Sequence, residues 1–570
     1  MVHRPDLYKA LEGVAWELGR ADSPALAALV DEMAGVIGAA QGPDGYVNSF
    51  VQAGLDVRWD DLVKSHELYC IGHLVQAGIA HRRATGSSSL FDVAVRAADC
   101  AVRDFGGGRR RDSDGHEEVE MALVELFRET GERAYLELAR QFLDDRGYGL
   151  LGTDGHFEPA YFQDAVPVRE QTEVVGHAVR AVYLIAGMVD VYVETGDQTL
   201  LDAAVAQWES MTARKAYVTG AVGLRVEGEA FGDPYELPPD LGYGETCASI
   251  GVVMASWRLL LATGEARFAD AVERALHNLV AASTSVERTG FFYSNPAQRR
   301  VPHEPAPTDT RPTRAAAPGT RPPWFECACC PPNVLRTIAS LGAYVATWSP
   351  AGVQVHQYVP ATVAADLPEG RVELEVATAY PLDGVVDVRV VTSPDEPWEL
   401  RLRVPAWAGD GARLEVDGEG RAAGGPGYAA VARRWEAGER VRLVLPVAPR
   451  LTVAHPSVDA VRGQVAVERG PVVLCFESPD QRGLDLERVE LLVDRPLEEE
   501  TVELLGQRVV RVRARGVQRD DSGWAGSGWA TLGQEPAGAA REVELVAVPY
   551  ALWANRGPST MRVFVPARRG

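Results

Sequence analysis

Residues 1 to about 348 are organised as pairs of amphipathic helices separated by a repeated Thr-Gly dipeptide. In the segment LFRETGERAYLELARQFL, one helix ends near Thr130-Gly131 and the next begins a few residues later. The dipeptide recurs at Thr85-Gly86, Thr195-Gly196 and Thr263-Gly264, and glycine fits the left-handed position that ends a helix. The spacing of about 45 to 70 residues is too irregular for a strict solenoid but suits stacked helical hairpins.

The apolar periodicity predicts eleven helices in this region. They lie near residues 6–19, 24–40, 66–85, 89–105, 116–130, 133–146, 174–196, 198–211, 246–263, 266–282 and 329–347. Six helical hairpins would close an (α/α)6 barrel, so the chain is one helix short of that architecture.

After Trp348 the apolar period changes to two. RVELEVATAYP, VVDVRVVTS and WELRLRVPAWA are short β-rich runs broken by Gly, Pro and Asp, and a second β region contains GQVAVERGPVVLCFES and REVELVAVPYALWA. Such patterns are typical of β-sandwiches. We therefore predict a multidomain α + β protein, with a helical barrel over residues 1–348 and β-sandwich domains over residues 349–458 and 459–570.

Composition bears on the cellular compartment of the protein and on the classes of partner that it can bind. The net charge of −23 argues against nucleic acid or an anionic membrane as partner. The N-terminus has no apolar targeting segment, so we expect a cytoplasmic protein. Seven cysteines in 570 residues are too few and too odd in number for a disulfide scaffold. In a reducing compartment, clustered thiols favour metal binding or catalysis.

Lysine occurs only at positions 9, 64 and 215, so nearly all basic residues are arginine. We interpret this bias as genomic base composition.

Three of the seven cysteines lie in the short segment FECACCPPN, and two of them, Cys329 and Cys330, are adjacent. A second segment, GYGETCASIG, places Glu245 and Cys247 two residues apart at the start of a predicted helix. One carboxylate and three thiolates make a closed set of four zinc ligands. The alternative is that these cysteines are small core residues, as we expect for Cys70, Cys100 and Cys475.

Carboxylates and histidines supply further candidates. The loop EGEAFGDPYELPPDLGYGETC is rich in acidic residues and is either a functional loop or a solvated one. His66, His73, His116 and His177 lie at or near predicted helix starts. They are either buried core residues or partners of sugar hydroxyls. Three aromatic residues could stack on a sugar face or simply pack: Tyr69, Trp324 and Tyr293.

These motifs together resemble glycoside hydrolase family 127, the β-L-arabinofuranosidases. The resemblance rests on HELYCIGHLVQAGIAH, GHEEVEMALVELFRETGERAYLELA, GHAVRAVYL, GEAFGDPYELP, YGETCASIG, FFYSNP and CACCPPNVLRTIASL. It extends through YPLDGVVDVRV, LRVPAWA and VERGPVVLCFES, and so covers most of the chain.

The resemblance implies an (α/α)6 barrel followed by β-sandwich domains, and a retaining exo-glycosidase that hydrolyses terminal β-L-arabinofuranosides. It implies a Zn²⁺ site formed by Glu245, Cys247, Cys329 and Cys330, in which Cys329 is also the nucleophile. Glu229 falls at the general acid/base position. Four residues match substrate-pocket positions: His73, His116, His177 and Tyr293.

The chain differs from the family pattern at its start. Family members carry several tens of residues before the helix DLYKALEG, whereas this sequence begins almost at that helix. We therefore expect either a misassigned start or a barrel that lacks its first helix and is open on one side.

Three other functions fit some of the same residues. A relative could act on another furanoside or a branched plant sugar. A sugar epimerase or lyase would use His and Tyr and leave the cysteines idle. A non-catalytic carbohydrate-binding protein would keep zinc for structure. We expect a small oligosaccharide or glycoside as partner, and a homodimer is compatible with the sandwich surfaces.

Overall fold

The computed structural model describes residues 4–153, 155–302, 321–325, 327–524, 528–534 and 538–570. The helices of the described chain are α1 (Arg4–Arg20), α2 (Pro24–Ala40), α3 (Ser49–Gln52), α4 (Glu67–Thr85), α5 (Ser89–Phe105), α6 (Val119–Thr130), α7 (Arg133–Asp145), α8 (Ala178–Thr195), α9 (Gln198–Arg214), α10 (Thr246–Thr263), α11 (Ala266–Ala275) and α12 (Cys330–Ala339).

The eleven helices predicted from periodicity are confirmed, and the four-residue α3 is additional. Two helices end several residues earlier than predicted. Helix α11 ends at Ala275 and continues as a π-helical turn, Leu276–Val280, while α12 ends at Ala339 and the chain enters a strand at Ala346. The repeated Thr-Gly dipeptides end α4, α6, α8 and α10 with glycine in the left-handed region, as predicted.

Six helices form a closed inner ring. Each packs on the next in the order α1, α4, α6, α8, α10 and α12, and α12 returns to α1. The closing contact is tight, because a Cβ on Gly13 of α1 would lie 2.7 Å from the Leu335 side chain of α12. The expected open side is therefore absent from the inner ring.

Five helices pack outside this ring: α2, α5, α7, α9 and α11. Each follows an inner helix after a short turn, so the inner helices all begin at the same end of the ring. Among the described helices, α12 is the inner helix that no outer helix follows. Compared with six complete pairs of inner and outer helices, the described chain therefore lacks one outer helix. One short strand, β1 (Gln298–Arg299), follows α11.

The middle region forms two sheets. Its strands are β2 (Ala346–Ser349), β3 (Gly352–Val355), β4 (Ala361–Leu367), β5 (Gly370–Thr378), β6 (Val385–Thr392), β7 (Trp398–Val404), β8 (Arg413–Val416), β9 (Glu419–Ala422), β10 (Gly427–Arg433) and β11 (Arg440–Val444). The four-stranded sheet has the order β10-β7-β3-β2, and the six-stranded sheet has the order β4-β5-β6-β11-β8-β9. Both sheets contribute to one apolar core, the arrangement expected of a sandwich.

The C-terminal strands are β12 (Pro449–Thr452), β13 (Gln464–Arg469), β14 (Val472–Glu477), β15 (Val489–Leu492), β16 (Glu498–Leu504), β17 (Gln507–Arg519), β18 (Ala540–Pro549), β19 (Met561–Arg562) and β20 (Phe564–Arg568). Pairing runs through β14, β18, β17, β15, β20 and β13, and β13 pairs again with β14. This closed circuit differs from the predicted β-sandwich, in which two sheets pack face to face. Strand β12 pairs with β13, so the boundary between the two β regions lies before residue 449 and not at 458.

Two features join the regions. Strand β1 pairs with β19 and adds the helical region to the C-terminal sheet. Arg403 of β7 is fully buried against α11, where its guanidinium lies 2.6 Å from Glu273.

Helix α10 is long and apolar enough to cross a membrane, but 72% of that stretch is buried in the structure, as in the core helices of many soluble proteins.

Candidate active site

The candidate site lies at the end of the ring where the inner helices begin. Glu245 precedes the first residue of α10 and Cys247 lies in its first turn. Cys330 is the first residue of α12, and His177 caps the start of α8. Unpaired N–H groups make a helix start electropositive, which favours carboxylates and thiolates there.

Four ligand atoms converge between α10 and α12. The Sγ atom of Cys247 lies 3.4 Å from Sγ of Cys330 and 3.7 Å from Sγ of Cys329, and the adjacent pair is 3.8 Å apart. Oε1 of Glu245 lies 3.8 Å from the Cys329 sulfur. A tetrahedral site with Zn–S bonds of about 2.3 Å places its sulfur atoms about 3.8 Å apart. The spacing therefore suits a single zinc ion.

Glu245 gives a second test of that fit. Its side chain is 2% exposed, and Oε2 has no hydrogen-bond partner. Burial, together with the nearby thiols, raises the pKa of this carboxyl well above its usual range. A buried carboxylate oxygen without a hydrogen bond is costly unless a cation completes it. The donor set, its spacing and this unsatisfied oxygen all fit a zinc ion held by Glu245, Cys247, Cys329 and Cys330.

Two chain segments hold the carboxylate ligand in place. The backbone N–H of Thr246 donates to the Tyr293 carbonyl, and that of Asn295 donates to the Tyr243 carbonyl, both at 3.0 Å. The Asn295 amide also donates to the Thr246 hydroxyl at 3.0 Å. Gly244 is left-handed (φ +52°), and a Cβ there would lie 2.9 Å from the Asn295 carbonyl. These contacts fix Tyr293 beside the cluster.

Tyr293 contacts the predicted nucleophile directly. Its hydroxyl lies 3.0 Å from Sγ of Cys329: a neutral thiol donates to the phenol oxygen, and a thiolate would accept from the phenol instead. The same hydroxyl lies 3.9 Å from Sγ of Cys327. Cys327 is not in the four-residue ligand set.

Glu229 faces this cluster from the acidic loop. It is a non-glycine residue in the left-handed region (φ 50°), a strained conformation often found at functional positions. Tyr243 donates to Oε1 at 3.0 Å, and Nε2 of His177 lies 3.1 Å from Oε2. The closest ligand atoms of His177, Glu229 and Glu245 all lie within 4.8 Å of one another.

The tautomer of His177 follows from its contacts. Its Nδ1 accepts hydrogen bonds from the backbone N–H groups of Val179 and Arg180. The proton of the neutral ring therefore sits on Nε2, which donates to Glu229. One side chain both caps α8 and orients the predicted acid/base.

A group of rings in tilted and edge-to-face contact forms the floor beside Glu229. The His116 ring lies 4.3 Å from the Tyr69 ring and 5.7 Å from the His177 ring, and His66 lies 5.8 Å from His116. Burial, with the positive charge of Arg180, lowers the pKa of His66 to about 4 and holds the pKa of His116 well below its usual range. The rings are therefore neutral near pH 7 and can exchange hydrogen bonds with hydroxyl groups.

The other predicted residues lie in different surroundings. His73 is fully buried behind Tyr69, with Nδ1 3.2 Å from Oε1 of Glu118, so it supports the floor from below. Among the remaining acidic residues of the loop, Glu227 is exposed beside His156. Three others pair with surface arginines: Asp233, Glu236 and Asp240. Trp324 is 41% exposed and lines a groove with residues of α12.

Sequence reasoning missed Tyr243. It named His66 as a candidate partner of sugar hydroxyls, but not among the four pocket positions that the resemblance implies. Tyr243 stands two residues before Glu245 in GYGETC, so its position in that motif was the available signal. His66 occupies the left-handed residue before α4 and faces the ring floor, which only the fold reveals.

Comparison with known families bears on all three regions of the chain. A β-L-arabinofuranosidase GH127 catalytic-domain model matches residues 2–343, a GH127 middle-domain model matches residues 352–447, and a GH127 C-terminal-domain model matches residues 449–566. The chain belongs to glycoside hydrolase family 127. It is therefore a glycoside hydrolase with a sugar substrate, and the resemblance drawn from its motifs is confirmed.

Individual GH127 proteins are similar over nearly the whole chain. A non-reducing end β-L-arabinofuranosidase from Bifidobacterium longum subsp. longum is 34% identical over 599 aligned residues, covering 98% of this chain and 88% of that protein. A GH127 β-L-arabinofuranosidase structure from Geobacillus stearothermophilus T6 is 35% identical, with a TM-score of 0.91 over 99% of this chain and 90% of that chain. A second GH127 β-arabinofuranosidase structure is 33% identical, with a TM-score of 0.88 over 99% of this chain and 88% of that chain.

Proposed function

We propose that this GH127 protein is a retaining exo-β-L-arabinofuranosidase in which Cys329 is the nucleophile and Glu229 is the general acid/base. The observation that carries the proposal is the convergence of the two groups on Glu245. Oε1 of Glu245 is 3.8 Å from the Cys329 sulfur, and the carboxylates of Glu245 and Glu229 approach within 4.8 Å. Retaining glycosidases need a nucleophile and a general acid/base that flank one glycosidic bond, the roles proposed for Cys329 and Glu229.

In the first step, the Cys329 thiolate attacks the anomeric carbon and forms a C–S bond. The bond between that carbon and the leaving oxygen breaks, and Glu229 gives its proton to the oxygen. The Tyr293 hydroxyl, 3.0 Å from the sulfur, holds the nucleophile in position.

In the second step, the Glu229 carboxylate takes a proton from water as the water oxygen attacks the anomeric carbon. The C–S bond breaks and Cys329 leaves as a thiolate. Two displacements at one carbon give net retention of configuration. Tyr243 and His177 keep the Glu229 carboxylate facing the reacting carbon in both steps.

Zinc, held by Glu245, Cys247, Cys329 and Cys330, would supply the positive charge that keeps the buried thiols deprotonated near pH 7. The structure favours zinc over a purely apolar cysteine cluster because Oε2 of Glu245 is buried without a hydrogen bond.

Several broader features belong to the same proposal. We interpret the six inner and five outer helices as an (α/α)6 barrel short of one outer helix in the described chain. The substrate pocket comprises His116, His177 and Tyr293, with His73 as support. We keep cytoplasmic placement, short oligosaccharide substrates and the absence of nucleic-acid or membrane partners as predictions. Cell fractionation and light scattering would test the location and the monomeric or dimeric state.

The test is hydrolysis of an aryl β-L-arabinofuranoside by the full chain, with the Cys329→Ser and Glu229→Gln variants beside it. We expect turnover by the parent with retention at the anomeric carbon, and a loss of about 10³-fold or more in Cys329→Ser. Cys475→Ala, in the C-terminal core, is the matched cysteine control and should keep turnover. Activity only on a different furanoside would favour the alternative that the protein acts on another furanoside or a branched plant sugar. Turnover that survives in Cys329→Ser would reject the cysteine mechanism.

A further inference from the structure

A stacked pair of aromatic rings lies beside the loop that carries Glu229. Phe157 and Tyr161 belong to the segment that joins α7 to α8, and their ring centroids are 4.0 Å apart at an interplanar angle of 10°. Both side chains are half-buried, whereas Tyr69 and His116 in the pocket floor are buried. The stacked pair therefore keeps part of its apolar surface open to a ligand.

Direct contacts fix the pair relative to the predicted acid/base. The backbone N–H of His177 donates to the Tyr161 carbonyl at 3.2 Å, and the two rings lie 5.7 Å apart. A Cβ on Gly228 would lie 2.9 Å from the Phe157 ring and 3.0 Å from the Tyr161 ring. The residue before Glu229 thus lies directly against both aromatic rings.

A buried arginine restrains the ring of Tyr161. The guanidinium carbon of Arg180 lies 4.9 Å from the centroid of the Tyr161 ring and 4.8 Å from that of the Phe162 ring. Arg180 is 6% exposed, and its Nε and Nη1 atoms have no hydrogen-bond partner among the described residues. Attraction between a desolvated cation and aromatic faces therefore holds the guanidinium and the Tyr161 ring together.

Exposure increases outward from Glu229 through the stacked pair. Glu229 is 8% exposed, and the two rings beside it are half-buried. The His156 ring meets the Phe157 ring edge-on at 4.4 Å. The side chains of His156 and Glu227 are 64% and 79% exposed, and Nε2 of the histidine lies 3.2 Å from Oε1 of the carboxylate. A polar pair thus stands at the rim, with the aromatic pair between it and the acid/base.

The proposed mechanism places the leaving group on the side of Glu229. The acid/base protonates the leaving oxygen, while the nucleophile attacks the opposite face of the sugar. The stacked pair contacts the Glu229 side of the pocket, through His177 and Gly228. The Cys329 sulfur instead contacts Tyr293. The two rings therefore lie where the leaving group must bind.

We propose that Phe157 and Tyr161 form the binding surface for the leaving group, and that this surface selects a sugar ring over a small alcohol. This inference rests on the proposed function. The C–H face of a sugar ring packs on aromatic surface, and its hydroxyls can bond to His156 and Glu227 at the rim. The preferred substrate class is a neutral di- or oligosaccharide that ends in a β-L-arabinofuranosyl unit.

The test compares kcat/KM of the full chain for two substrates. One is a disaccharide that ends in a β-L-arabinofuranosyl unit, and the other is methyl β-L-arabinofuranoside, whose leaving group is methanol. We expect the parent to prefer the disaccharide. Phe157→Leu should lower the ratio of the two kcat/KM values about 3- to 10-fold, the kinetic equivalent of one aromatic contact. Phe157→Tyr keeps an aromatic ring there and should retain most of the parent ratio.

The ratio separates recognition of the leaving group from an indirect effect through Gly228. If Phe157 only supports the backbone at Glu229, Phe157→Leu should lower kcat/KM for both substrates by the same factor. An unchanged ratio in Phe157→Leu, or a parent that does not prefer the disaccharide, would overturn the inference. A parent that hydrolyses neither substrate would reject the proposed arabinofuranosidase activity, and the inference with it.

Discussion

The hydroxyl of Tyr293 lies 3.0 Å from Sγ of Cys329. A hydrogen bond to a charged acceptor contributes about 1.5–3 kcal/mol, so the phenol would stabilise the proposed Cys329 thiolate and fix its direction. The Tyr293 ring is itself held edge-on by Phe325. The hydroxyl can therefore be removed with little loss of packing.

Tyr293→Phe should lower kcat/KM on an aryl β-L-arabinofuranoside by about 10- to 100-fold, the kinetic equivalent of that hydrogen bond. Tyr135→Phe is the matched control, since the Tyr135 hydroxyl donates to Asp99 at 2.7 Å in the outer helices. An unchanged kcat/KM in Tyr293→Phe would show that the phenol does not act on the reacting sulfur.

Gly228 positions the predicted acid/base. It is left-handed (φ +73°), and a Cβ there would lie 2.9 Å from the Phe157 ring and 3.0 Å from the Tyr161 ring. Gly228→Ala should therefore displace Glu229 and lower kcat/KM at least about tenfold, while the chain still unfolds in one cooperative transition. Gly264→Ala has the same φ of +73° with nothing within 4 Å, so it should cost about 1 kcal/mol of stability and leave kcat/KM unchanged. Equal activity in the two variants would contradict this placement of Glu229.

The neutral histidines make the fold sensitive to acid. The pKa of His66 falls to about 4 from an ordinary 6.5 through burial and the charge of Arg180. Its contribution to stability is therefore complete above about pH 6.5 and is lost as pH falls toward 4, by up to about 1.4 kcal/mol per pH unit.

His66→Asn keeps a residue that tolerates the left-handed backbone but does not titrate. The free energy of unfolding of this variant should decline less steeply than that of the parent between pH 6.5 and 4. His73 and His116 have pKa values lowered by the same kind of burial, so some dependence should persist. Identical pH profiles for parent and variant would rule out His66 as a source of the acid sensitivity.

The helical and middle regions are joined by a fully buried arginine. Arg403 lies 2.6 Å from Glu273, which also accepts a hydrogen bond from Tyr380 at 2.6 Å. Arg403→Met should cost about 3–5 kcal/mol, because it leaves the Glu273 charge buried without its partner. The double variant with Glu273→Gln should recover part of that loss.

Calorimetry of the single and double variants measures both effects. Arg442→Met removes an arginine exposed to solvent and paired with Asp387 at 2.7 Å, so it should cost less than about 1 kcal/mol. A similar small loss for Arg403→Met would mean that the buried pair does not hold the two regions together.

Local sequence patterns predicted the helix pairs well. The Thr-Gly dipeptides carry their own stop signal, so α4, α6, α8 and α10 end at the residues expected. The local sequence of a helix does not show whether it lies inside or outside the ring. The count of eleven helices therefore suggested a barrel with an open side, whereas α12 packs against α1 and closes the inner ring. The closed C-terminal sheet was likewise unforeseen, because it depends on pairings such as β15 with β20 that join distant parts of the chain.

The residues of the candidate site also fall into two groups: those that sequence motifs predict and those that only the fold reveals. Glu245, Cys247, Cys329 and Cys330 were selected because their residue types and motifs are distinctive, and the structure brings them together. Tyr243 is a common residue type in a loop, and its motif position alone did not assign it a role. Its significance comes from its hydrogen bond to Glu229, which only the fold reveals.

The most direct test of the account is to trap the sugar on the nucleophile. Glu229→Gln cannot activate water, but an aryl β-L-arabinofuranoside with a good leaving group needs little acid assistance in the first step, so the covalent intermediate should accumulate. Intact-mass and peptide mass spectrometry should then find one pentosyl unit on Cys329, and none when Cys329→Ser is combined with Glu229→Gln. A pentosyl unit on any other residue, or a burst of aryl release that leaves Cys329 unmodified, would contradict the assignment of Cys329 as the nucleophile.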